Sequence, residues 1–256
     1  MADIKKHYPL ELHDREEDLL REYLQYEILN ALFDSKYALK YTFLGGTCLR
    51  IVYNTQRFSE DLDFDNVGLA QSEFEETASI IQRYLQLRGY KVKINFKYKG
   101  AFHCNIRFPG ILYDYSLSGH KEAKLLIKLD TEKQGFEYER RLVRITKFSV
   151  DTEIFATPID LLCSQKIAAA LGRKRAKGRD YYDLRYLLDR TDPDLRYLSE
   201  RLDIHSKDEL LSRMQSRFDE VDFNKMAKDV QSFLFVAEGI EWVRNFPAYW
   251  TKRFGK

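Results

Sequence analysis

Apolar positions recur at three- and four-residue intervals through the first part of the chain. Leu19, Leu20, Tyr23, Leu24, Ile28, Leu29 and Leu32 form a broad stripe that predicts an amphipathic helix within residues 10–38. The period then shortens. "KYTFL" (40–44) reads as a strand broken by Gly45-Gly46, and Thr47 reads as the cap of a short helix over 48–54. "SEDLDFD" (59–65) alternates, with Leu62 and Phe64 on one face and Asp61, Asp63 and Asp65 on the other. A helix over 71–87 follows, closed by Arg88-Gly89. "YKVKINFKYKG" (90–100) sets Val92, Ile94, Phe96 and Tyr98 against Lys91, Lys93, Lys97 and Lys99. "AFHCNIRF" (101–108) repeats the alternation, so Gly100 turns a hairpin. "AKLLIKLD" (123–130) is a further strand, with Leu125, Ile127 and Leu129 opposing Leu126, Lys128 and Asp130. From Thr157 onward the spacing is helical. The change of period predicts an α+β chain: a mixed sheet with flanking helices over 1–155, then an α-helical domain over 156–256.

Composition narrows the picture without choosing a function. At 256 residues and 44% hydrophobic the chain buries a sizeable core, which excludes a disordered polymer. Its 42 basic and 40 acidic residues nearly cancel, so only local clusters can recruit nucleic acid. Cys48, Cys104 and Cys163 are odd in number, far apart and set among apolar residues, the pattern of free thiols in a reducing compartment rather than of disulfides or a zinc site. No stretch approaches the ~20 apolar residues of a membrane span, and no signal-peptide core is present, so a cytoplasmic protein with no membrane contact is expected.

The acidic row carries the candidate chemistry. Side chains at i and i+2 of a strand point the same way, about 6.5 to 7 Å apart along the backbone, so Asp61 and Asp63 can grip a common cation. Hard oxygen ligands suit Mg²⁺, which takes one or two carboxylates and leaves its other positions to water and substrate phosphates. Gly45-Gly46-Thr47 suits the phosphate half: glycine lets the backbone approach closely, and the N–H groups opening the next helix favour an anion. A DxD or a double glycine alone is common on solvated edges and in turns; strand, GGT, helix and then DxD on the next strand is far more restrictive.

These residues carry a family likeness. "GGTCLR…RFSEDLDF" resembles the signature of the nucleotidyltransferase superfamily, and within it the AbiEii/AbiGii toxins of bacterial abortive-infection and toxin–antitoxin systems. "QKIAAALGRKRAKGRDYYDL" (165–184) resembles that family's helical-domain motif, so the likeness spans about residues 40–190. It implies a nucleotidyltransferase-fold sheet, with Asp61 and Asp63 holding metal and, as is often the case in the superfamily, a third carboxylate from a later strand, for which Asp130 is the candidate; a solvated strand-end acid is the alternative there. It implies NTP contacts from Gly45, Gly46, Thr47, Arg57, Ser59, Lys166 and Arg173, and catalytic roles for Asp61, Asp63, Asp130, Lys166 and Asp180. Two Mg²⁺ ions about 3.5 to 4 Å apart are expected, activating an attacking hydroxyl and stabilising departing pyrophosphate. Cys48 stands where a small residue such as Ala is usual.

The second half supplies cations. Thr157 and Pro158 open a helix, and residues 165–179 hold Lys166, Arg173, Lys174, Arg175, Lys177 and Arg179 with no acid. Such a block suits a triphosphate or an RNA backbone. Asp180 can equally cap the next helix, and Asp183 can complement its dipole. The lysine row of 91–99 reads as an RNA path or as protection of a sheet edge, and "NFPAYWTKRFGK" (245–256) as base-stacking or, preferably, as a packed terminus.

The sequence therefore predicts an Mg²⁺-dependent nucleotidyltransferase toxin that moves NMP from an NTP to an RNA acceptor, the tRNA 3′ end by family likeness, with a cognate antitoxin as partner. Transfer to a protein hydroxyl, or a non-catalytic nucleotide- or RNA-binding module, are the alternatives.

Overall fold

The computed structural model describes residues 1–255; Lys256, the last basic residue of the terminal segment, lies outside them. The chain forms two compact units, Met1–Val52 with Phe58–Thr157, and Tyr53–Arg57 with the residues from Pro158 on.

The first unit contains α1 (Ala2–Lys5), α2 (Glu16–Phe33), β1 (Tyr41–Leu44), α3 (Gly45–Ile51), β2 (Leu62–Asn66) and α4 (Gln71–Leu87), followed by β3 (Lys93–Lys99), β4 (Ala101–Phe108), α5 (Ile111–Asp114), β5 (Leu125–Glu132), β6 (Arg141–Lys147) and β7 (Val150–Ala156). The strands form one mixed seven-stranded sheet in the order β3-β4-β5-β2-β1-β7-β6. β2 lies antiparallel to β1 and parallel to β5. Its apolar face is covered by helices: Phe33 of α2 meets Phe64 at 6.3 Å, and Phe74 of α4 meets Phe102 at 5.5 Å. The alternation of β2 therefore turns Asp63 and Asp65 away from both helices.

α2 is buried on nearly every side, its polar residues included, because each has a partner. Glu22 accepts from Arg50 at 2.8 Å and from Lys147 at 2.7 Å. Gln25 donates to the carbonyls of Ser59 and Glu60 at 2.9 and 3.0 Å, pinning the segment that leads into Asp61.

Two local expectations are corrected. α3 begins at Gly45 rather than Cys48, and the Thr47 hydroxyl, instead of capping it, donates to the carbonyl of Asp61. Residues 141–156, to which the sequence pattern assigned no element, form the β6–β7 hairpin. Its turn lacks a glycine: Phe148 adopts φ 57, held among the rings of His7, Tyr8, Tyr23 and Tyr26 at 4.7 to 6.2 Å.

The second unit is helical: α6 (Ile159–Gly172), α7 (Gly178–Leu188), α8 (Leu195–Leu202), α9 (Lys207–Phe218), α10 (Phe223–Gln231), α11 (Gly239–Arg244) and α12 (Phe246–Phe254). Phe246, Trp250 and Phe254 are buried, so the aromatic terminal segment packs. Gly178 lets α7 touch α10, since a Cβ there would stand 2.0 Å from the Met226 carbonyl oxygen. No helix among the described residues is long and apolar enough to cross a membrane.

Buried charge holds this unit. Arg57, 1% exposed, donates to both oxygens of Asp183 at 2.6 Å. Lys166 lies 2.8 Å from Asp183 and 3.0 Å from Asp180. Burial works to raise the Asp183 pKa, but Arg57 and Lys166 outweigh it and hold the carboxyl below its usual range. A depressed folded pKa means the stabilisation is present above the unfolded value and is lost as pH falls through the folded one. Asp183→Asn is thus expected to cost about 3–5 kcal/mol at neutral pH by leaving buried cations uncompensated, with the deficit relative to wild type narrowing below about pH 4. Urea denaturation of both proteins across pH checks this; a neutral-pH cost below about 1 kcal/mol would contradict it.

Candidate active site

The antiparallel register of β1 and β2 sets Asp63 opposite Leu44, the residue before the double glycine. Gly45 adopts φ +80, and a Cβ at that position would stand 2.5 Å from Asp63 Oδ2. The carboxylate thus lies directly against the glycine turn, a contact that only a residue without a side chain permits.

β2 and β5 run parallel with Asp63 beside Asp130, and β5 and β4 run antiparallel with Asp130 beside His103. Asp63, Asp130 and His103 consequently occupy one row across three adjacent strands, neighbouring strands being about 4.8 Å apart. A ring nitrogen of His103, Nδ1, lies 2.9 Å from Asp130 Oδ1. Asp61 precedes β2 and faces Lys128, whose Nζ is 3.5 Å from Asp61 Oδ2. Burial, reinforced by Asp130, pushes the Asp61 carboxyl above its usual range, while Lys128 opposes the shift. Asp61 and Asp130 remain 40% and 28% exposed, open enough to meet a ligand.

Among the described residues, no three His, Cys, Asp or Glu side chains enclose a common metal position. Mg²⁺ asks for less, since water and phosphate oxygens complete its shell, and the hard carboxylates of Asp61 and Asp63 on one face fit that need.

The other expected positions divide. Gly46 and Ser59 are half-buried, and the Ser59 carbonyl is engaged by Gln25. Thr47 is fully buried with its hydroxyl committed to Asp61, so it can offer an anion only backbone N–H. Arg57 belongs to the second unit and is sealed against Asp183. Lys166, buried among acids, is tied to Asp180 and Asp183; burial works to lower its pKa and the two carboxylates raise it overall. Arg173, 41% exposed, lies 3.0 Å from the other Asp180 oxygen and is the open cation of this group. Asp180 therefore organises two cations rather than ending as a simple helix cap.

His103 and Lys128 were not singled out as site residues from the sequence. The alternation of "AFHCNIRF" does place His103 on the polar face; the pairing of β4 with β5, which brings it to Asp130, is not visible locally.

The model of the nucleotidyl transferase AbiEii toxin family, type IV TA system, matches residues 27–243. Two solved structures share the fold. JHP933 from Helicobacter pylori has a TM-score of 0.56 and 18% identity, over 94% of this chain and 94% of that one. A candidate nucleotidyltransferase from H. pylori has a TM-score of 0.58 and 19% identity, over 94% of this chain and 97% of that one. No curated protein matches. With the family model spanning most of the chain, from α2 into α11, this protein belongs to the AbiEii nucleotidyltransferase toxin family of type IV toxin–antitoxin systems.

Proposed function

We propose that this nucleotidyltransferase transfers an NMP group from an NTP to an RNA 3′ hydroxyl, with tRNA as the acceptor class, using Mg²⁺ held by Asp61 and Asp63. The observation that supports this most is the row of Asp63, Asp130 and His103 laid against the Gly45-Gly46 turn. Bound there, Mg²⁺ would supply charge neutralisation for a triphosphate and a lowered pKa for the attacking hydroxyl.

The chain's own groups do the rest. Backbone N–H groups of Gly46 and Thr47 take phosphate oxygens, and the missing Cβ of Gly45 keeps Asp63 close to them. Asp130, steadied by His103, faces the acceptor hydroxyl as ligand or proton acceptor. Lys128 balances the acidic row before substrate arrives. In the second unit, Asp180 holds the buried Lys166 and the more exposed Arg173 side by side. A cytoplasmic site of action and a cognate antitoxin follow from the family reading.

With labelled NTPs, Mg²⁺ and total tRNA, the wild type is expected to label tRNA. Asp61→Asn and Asp63→Asn are expected to lower transfer by at least about 100-fold, and chelation of metal to abolish it reversibly. Label on protein instead would favour a protein hydroxyl as acceptor, and NTP binding without any transfer would favour a binding module.

Gly45→Ala tests the close approach separately. Its Cβ would displace Asp63, so transfer should fall about 100-fold while the protein stays folded. Activity within about threefold of wild type, on the same scale, would remove Gly45 from the account.

A further inference from the structure

At the end of β2 remote from the glycine turn, Asn66 pairs with Tyr41. There the segment after β5 folds over the sheet. The Gln134 amide and the Tyr138 hydroxyl both donate to Asp65, at 2.9 and 3.0 Å. Between this segment and the Asn66-Val67-Gly68 turn lies a cavity of about 650 Å³, bounded also by Lys133, Phe136 and Arg140. Its size falls within the ~300–1,000 Å³ of small-molecule sites.

The chemistry of the walls is that of a nucleobase site. The rings of Phe136 and Tyr138 lie 6.5 Å apart and within 20° of parallel. Lys133 and Arg140 line it together with Asp65 and Glu137, so formal charge balances. The Asp65 oxygens are already bonded, and Arg140 donates to the Leu39 carbonyl while lying over Phe155 at 4.4 Å. Neutral walls with an aromatic side and a polar rim suit a flat, uncharged heterocycle better than a phosphate.

Position assigns the owner of that base. The cavity borders Asp65, on the same face of β2 as Asp63 and about 6.5 to 7 Å beyond it along the strand. In an in-line displacement the attacking hydroxyl enters opposite the departing pyrophosphate. The triphosphate is read at the Gly45-Gly46 end, so the acceptor enters from the Asp65 end. We propose that this cavity receives the terminal nucleobase of the RNA acceptor and thereby aims its 3′ hydroxyl at the Asp61–Asp63 centre. The assignment rests on the nucleotidyltransferase reading above.

The test uses the full chain and a 5′-fluorescein-labelled single-stranded RNA tetranucleotide with a free 3′ hydroxyl. Tyr138→Ala removes one ring, and Val67→Trp, at an exposed position, fills the mouth without disturbing the core. Both variants are expected to bind the tetranucleotide about 5- to 150-fold more weakly, the range of one lost stacking contact. Both should raise KM for the acceptor in step, with NTP affinity, measured separately, changing less than about twofold. Unchanged RNA binding in both variants, no RNA binding by the wild type, or a loss of NTP affinity instead would overturn the assignment. A wild type that binds the tetranucleotide but transfers nothing would sink the transferase reading, while the paired binding measurements still decide the cavity.

Discussion

The contact between Gly45 and the Asp63 carboxylate is the constraint on which the candidate site depends. It follows from the pairing of Leu44 with Asp63, which brings the end of one strand and the start of the next to a single point. A side chain at Gly45 would need both an unfavourable left-handed backbone and the space that Asp63 occupies. The glycine turn and the acidic strand are thus one structural feature, and each loses its purpose without the other. The Thr47 hydroxyl, bonded to the Asp61 carbonyl, ties the same two segments a second time.

Charge buried inside each unit holds that unit's own elements in register. In the first, Glu22 collects Arg50 and Lys147, fixing α3 and the β6–β7 hairpin to α2. In the second, Asp183 collects Arg57 and Lys166. Such pairs contribute little net stability compared with apolar packing, yet removing one partner is costly, so they act as registration devices. Arg57, which precedes the acidic motif and which the family likeness makes an NTP contact, is buried against Asp183 in the fold, as Arg50 is against Glu22.

Much of the fold was legible because its strands alternate cleanly. β2, β4 and β5 each set an apolar row against a polar one, and α4 runs over Gln71–Leu87 as its spacing predicts. The hairpin over 141–156 was not legible, since its turn relies on tertiary ring packing around Phe148 rather than on a local glycine. Residues 53–57 joining the second unit were equally hidden, because that choice is made by Phe235 bonding to Gln56 and by Asp183, far along the chain. The acidic residues of the candidate site could be read from the sequence; their neighbours His103, Lys128 and Tyr138 could not, since strand register is a property of the whole sheet.

A crystal structure with Mn²⁺ and a non-hydrolysable NTP analogue would test the central claim most directly. The account predicts anomalous peaks bound by Asp61 and Asp63, with the triphosphate oxygens on the Gly46 and Thr47 amides. Metal and triphosphate bound elsewhere, with the acidic row left unliganded, would contradict it.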